Sequence, residues 1–257
     1  MTDAATVHSH HESSPWPFVV GLGVLLTAIA LLTTFAWGMP NVGIVMGGGV
    51  LALMAIGLAG WAREFFQHDE EQGLGPVAVV AFIVSEIIIF GTVFVAFWLS
   101  RIENFAEWGS FIPEGLEIGF ALWLSIILWA SSLTIVLSEK AFEKGDRSKA
   151  MIWLVATFAL GSLFVVLHMN EWMHLAGEGF VPGANTYANG FYALTGVHTS
   201  HVIVGLFIHL ILLYVVAFGL MTENRTTLYK GAALYWHFVD IMWLLVAANA
   251  YIIGGTP

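Results

Sequence analysis

Apolar residues along this chain gather into seven long runs, residues 16–39, 42–62, 76–99, 118–138, 150–175, 190–221 and 231–253, separated by short polar connections. A bilayer core of about 30 Å is crossed by about 20 residues of helix, and every run reaches that length. The pattern predicts seven transmembrane helices. No charged residue occurs between Ser13 and Ala62, and a Pro40-Asn41 turn divides the stretch, which predicts a helical hairpin. The third run is interrupted only by Glu86, and the fourth is clean. The fifth turns polar late, at His168, Glu171 and His174. The sixth exceeds one crossing, which predicts a tilt or an emergent end.

The polar connections set the orientation. Arg63 follows helix two, Lys140, Lys144, Arg147 and Lys149 follow helix four, and Arg225 and Lys230 follow helix six. With seven spans these connections share one side, and only Arg101 falls opposite. The positive-inside rule assigns that side to the cytoplasm or matrix. The other side carries Glu103, Glu107, Glu114, Glu117 and Glu178. The N-terminus is therefore inside and the C-terminus outside.

Composition removes the soluble alternatives. The 257 residues are 58% hydrophobic and 10% charged, against about 25% charged in an ordinary soluble domain. Mean hydropathy is +0.84. The net charge of -10 resides almost wholly in the connections, so its placement means more than its sum. The absence of cysteine excludes disulfides, thiolate nucleophiles and cysteine-ligated metals. Residues 1–14 are polar and hold no Lys or Arg, unlike a cleavable signal peptide. His8, His10 and His11 could hold a metal there, but a solvated tail is the simpler reading.

Candidate chemistry lies in the polar residues inside the spans, where a carboxylate costs at least about 2.5 kcal/mol on insertion scales. Glu86 lies too deep to snorkel to water. It reads either as a proton-accepting or lipid-organising carboxylate, or as a carboxyl tying helix three to a neighbour. His168, Glu171 and His174 form a row at the outer end of helix five, and His198 and His201 stand three apart near the start of helix six. Antiparallel running brings both groups to similar depth. A di-iron site would need carboxylates from four helices, and His209 leaves bis-histidine haem ligation open on spacing. One satisfied polar seam between the helices is the simpler expectation. His237 and Asp240 stand one turn apart on helix seven, a proton relay or an interhelical clasp near the inner face. Trp61 and Arg63 end helix two as an interfacial anchor, and Arg63 could hold a lipid phosphate.

Six stretches, in order, carry a family resemblance: Ser14-Pro15-Trp16-Pro17, Trp61-Ala62-Arg63-Glu64, Ser85-Glu86, Glu143-Lys144-Gly145-Asp146-Arg147, the run from Gly196 through His198-Thr199-Ser200-His201 to Gly205, and Tyr235 to Asp240. Over nearly its whole length the chain resembles subunit III of cytochrome c oxidase and related haem–copper oxidases. The family often has two tryptophans before the arginine, where position 62 here is Ala, and the connection after Arg63 is shorter than in mitochondrial members.

The resemblance implies an all-α integral membrane protein. A polar tail (1–15) would precede a two-helix arm (16–62), an inner loop (63–75) and a five-helix bundle (76–257), with the two arms around a V-shaped lipid cleft. It implies a non-catalytic subunit without metal that flanks catalytic subunit I beside subunit II. Haem and copper sit on those partners, where O2 is reduced to water. This subunit would sustain proton uptake, bind phospholipid and protect the oxidase during turnover. Glu86 matches the family's buried helix-three carboxylate, and Trp61 and Arg63 match positions near cleft lipids. A respiratory supercomplex is a further candidate partner, and nucleic acid is not one. The expected location is the bacterial plasma membrane, although a mitochondrial inner membrane gives the same charge pattern. The electron donor, haem types and pumping stoichiometry belong to other subunits. The competing classes are a histidine-based redox enzyme, a transporter or proton channel built on Glu86 and His237–Asp240, and a subunit-III-like protein linked to nitric oxide reductases.

Overall fold

The computed structural model describes residues 15–35, 37–67, 75–221 and 227–256. Seven α-helices follow one another: α1 (Trp16–Phe35), α2 (Pro40–Gln67), α3 (Gly75–Glu103), α4 (Ile118–Glu143), α5 (Arg147–Gly177), α6 (Thr186–Ala217) and α7 (Thr227–Ala247). A 3-10 turn (Trp108–Phe111) precedes α4, and a π-helical turn (Ala248–Ile253) continues α7. No strand occurs among the described residues. Apolar segments in a bilayer must satisfy their backbone groups internally, which leaves helix as the solution. Six of the helices are long and apolar enough to cross a membrane, and α1 adds 20 residues with an apolar stretch over Trp16–Thr27.

Several helices outrun their apolar runs. α2 continues beyond position 62 to Gln67, α3 beyond 99 to Glu103, and α4 beyond 138 to Glu143. Hydropathy marks the hydrocarbon layer, whereas helical hydrogen bonding persists into the headgroup layer until a residue ends it. α6 stops at Ala217 rather than 221, because Gly219 adopts φ +66.

The chain divides into two compact units, Met1–Glu71 and Gln72–Pro257. In the first, α1 and α2 form a hairpin whose second helix opens on Pro40, a residue whose missing N–H costs nothing at a helix start. Glycines bring the two helices together: a Cβ on Gly60 would lie 2.5 Å from the Trp16 indole, and one on Gly23 2.5 Å from the Met54 side chain.

In the second unit, α3 to α7 enclose an aromatic-rich core. α4 and α5 are joined by the shortest connection. Gly145 N–H donates to Phe142 O and Asp146 N–H to Ala141 O, which requires the left-handed φ of +75 at Gly145. Asp146 then caps α5 by accepting from the Lys149 N–H at 3.1 Å. Lys230 Nζ stands 3.5 Å from Glu143, and Arg147 donates to Met221 O at 3.1 Å, so the basic connections gather at one end. At the opposite end Glu178 accepts from the Gly115 N–H at 3.0 Å, and Arg101, buried over the Trp108 ring, donates to Thr256 O at 3.1 Å.

Candidate functional site

Glu86 of α3 faces His201 of α6, with Nε2 and Oε2 2.8 Å apart and the side chains 12% and 15% exposed. The second ring nitrogen, Nδ1, lies 2.7 Å from Val197 O. A carbonyl oxygen only accepts, so Nδ1 carries a hydrogen. The contact at Nε2 then needs one further proton, since a bare nitrogen and a carboxylate would oppose lone pairs. That proton makes either a carboxylic acid facing imidazole or a carboxylate facing imidazolium. Both are electroneutral, which is what hydrocarbon demands. Phe90 packs 4.9 Å from the imidazole, and the Tyr235 hydroxyl donates to His201 O at 3.1 Å. The pair can hold and exchange a proton without leaving a net charge in the membrane.

The expected single seam across α5 and α6 is divided. His201 turns to α3, and of the expected seam residues His168 is the one that bonds across from α5 to α6 among the described residues. Thr199 Oγ1 donates its hydrogen to Thr195 O at 2.8 Å and accepts from His168 Nδ1 at 3.0 Å. Tyr251, in the π-helical turn, donates to Glu171 at 2.6 Å and lies 3.4 Å from His168 Nε2. Tyr187 donates to Ala250 O at 2.7 Å. These bonds anchor the π turn to α5 and α6. His174 leaves the row and pairs with Glu178 at 3.6 Å, with its side chain 67% exposed.

Nor is the seam fully satisfied. His198 and His209 are buried with neither ring nitrogen hydrogen-bonded among the described residues. His198 packs on Trp243 at 5.0 Å and Phe164 at 5.8 Å, and His209 on Trp236 at 4.5 Å. His198 and His201 leave α6 on faces that meet different neighbours. Among the described residues, no three His, Asp or Glu side chains converge as ligands.

On α7, His237 and Asp240 do not pair directly. Their nearest atoms are 4.0 Å apart, and Ser132 of α4 stands between them, 2.8 Å from His237 Nδ1 and hydrogen-bonded to Asp240 Oδ2. The apolar span runs from Leu228 to Ile253, which puts Asp240 near its middle rather than at the inner face. Ser125 and Ser131 of α4 accept from Trp243 and Trp236, each at 2.9 Å. Sequence reasoning missed these serines, Thr199 and Tyr251. The signal available was the clustering of Ser125, Ser131, Ser132, Thr134 and Ser138 on one apolar helix, since hydroxyls in membrane helices bond across interfaces. The side chains of Trp61 and Arg63 lie outside the described residues, as do His8, His10 and His11.

Comparison with known proteins agrees with this frame. A family described as cytochrome c oxidase subunit III matches residues 8–255. The cytochrome c oxidase subunit 3 of Allomyces macrogynus is 29% identical over 96% of this chain and 94% of its own length. That of Coturnix japonica is 30% identical over 96% of this chain and 98% of its own. The cytochrome bo(3) ubiquinol oxidase subunit 3 of Pseudomonas aeruginosa is 31% identical over 191 residues, which are 73% of this chain and 90% of its own length. With the family match spanning nearly every residue of a seven-helix membrane chain, this protein belongs to the cytochrome c oxidase subunit III family.

Proposed function

We propose that this chain is a non-catalytic subunit of a haem–copper terminal oxidase, flanking the catalytic subunit I and subunit II in a respiratory membrane. We take that membrane to be the bacterial plasma membrane. The observation that carries the reading is the family match over residues 8–255. Oxygen reduction, haem and copper belong to the partner chains. The contribution of this chain is to sustain proton uptake, to bind phospholipid and to stabilise the catalytic subunit. The Glu86–His201 pair supports the first role, because a carboxyl group and an imidazole in direct contact inside the span can share a proton between them. The competing redox reading needs histidines arranged as ligands, and these histidines bond to Glu86, Thr199 and Ser132 or pack on rings.

The test is isolation of the native complex by a tag on this chain. A haem-bearing chain that reduces O2 is expected to accompany it, and the separated chain should show no haem absorbance, iron or copper. A haem spectrum carried by the isolated chain would overturn the reading.

A further inference from the structure

Among the described ionisable groups in mid-span, His237 stands out because it is not enclosed. Its side chain is 37% exposed, whereas Asp240 one turn away is 6% exposed. At 1.5 Å per residue it lies within about 5 Å of the midpoint of its span, so its imidazole sits at hydrocarbon depth. Leu234, Ile241 and Leu245 continue the same exposed line along α7.

The proton inventory of this site decides what it lacks. Ser132 has one hydroxyl hydrogen and stands between two groups, so it donates to one and accepts from the other. When it donates to the Asp240 carboxylate, His237 Nδ1–H donates to it, and electroneutrality then requires imidazolium, with a hydrogen on Nε2. When it donates to Nδ1, protonated Asp240 Oδ2 donates to it, and the neutral imidazole again carries its hydrogen on Nε2. Placing the proton on Asp240 Oδ1 would make a buried donor with no acceptor, because Oδ1 has no partner among the described residues. Both satisfied arrangements therefore leave an Nε2–H without an acceptor among the described residues.

We propose that this face of α4 and α7 is covered by a transmembrane helix of a partner subunit that presents a hydrogen-bond acceptor to His237 Nε2. The inference rests on the reading of the chain as one subunit of an oxidase complex. An acyl chain offers no acceptor, and lipid ester oxygens stay at the interface. A polar side chain or a freed carbonyl on a neighbouring helix is the acceptor available at this depth.

The test uses the assembled complex. A photo-crosslinking residue at Ile241 is expected to bond to the haem-bearing chain well above the background set by the same residue at Val166, an exposed position on α5. His237→Leu is expected to lower retention of this chain in the washed complex about threefold, and His237→Gln, which keeps an N–H donor, to lower it less. A lipid-facing His237 predicts the reverse, with the leucine variant held at least as well. Adducts of Ile241 only with lipid, or with a second copy of this chain, overturn the inference while the functional reading stands. If no haem-bearing chain accompanies this one at all, the functional reading fails and the inference with it.

Discussion

A proton held between two side chains has a different consequence from a charge held by one. In Glu86→Gln the carboxamide N–H can still donate to His201 Nε2, so the tie between α3 and α6 persists, but the exchangeable proton of the carboxyl is gone. The complex should assemble and start at close to its original rate, while activity followed over many turnovers decays faster. An unchanged decay would reduce Glu86 to a packing role. Asp146, at the membrane surface, makes a pH-dependent statement. The hydrogen bond from the Lys149 side chain holds its carboxyl below the ordinary value of 3.8. A depressed folded value gives stabilisation that is complete above the ordinary value and lost as pH falls through the folded one. Hydrogen exchange in the first turn of α5 should be faster in Asp146→Ala at about pH 7, and that difference should close only in acid below the ordinary carboxylate value. A difference independent of pH would show that the carboxylate is not what holds the turn.

At the scale of the helices, α7 is seated within its span by buried tryptophans. Trp236 is fully buried, donates to Ser131 of α4 and lies against glycines of two other helices. A Cβ on Gly161 of α5 would come within 2.8 Å of its ring, and one on Gly205 of α6 within 2.6 Å. The indole is enclosed and cannot yield, so Gly205→Ala should overpack the junction and cost about 1–3 kcal/mol, read as a lower unfolding midpoint of the purified complex. Ser200→Ala, at an exposed position of the same helix, is the control for helix propensity. The same logic explains the π turn at Ala248–Ile253. Its irregular backbone is retained where Tyr187 bonds Ala250 O and Tyr251 reaches Glu171, so bonds from α5 and α6 compensate for the broken helical register.

For the whole molecule, the division of charge between the two ends of Gln72–Pro257 makes a topological prediction. The Lys230–Glu143 and Arg147–Met221 contacts fall at one end, and the Glu178–Gly115 and Arg101–Thr256 contacts at the other. Because the chain has no cysteine, single substitutions report position without background. A thiol introduced by Lys144→Cys should be labelled by an impermeant reagent only from the cytoplasmic side, and one introduced by Glu178→Cys only from the other. Labelling of both from one side would remove the odd number of spans and the assigned orientation.

The number of helices, their order and their apolar extent were legible in the sequence, because a bilayer forces every long apolar run into helix and charged residues into the connections. The polar residues inside the spans were legible as well, since Glu86, His168, Glu171, His198, His201, His237 and Asp240 are conspicuous against hydrocarbon. Their pairing was not. His201 belongs with Glu86 rather than with the α5 row, His198 keeps no hydrogen-bond partner among the described residues, and His237 reaches Asp240 through Ser132. Periodicity states which face of a helix a residue occupies. Which neighbouring helix meets that face depends on how glycines and tryptophans let the helices approach, and that is a property of the packed bundle alone.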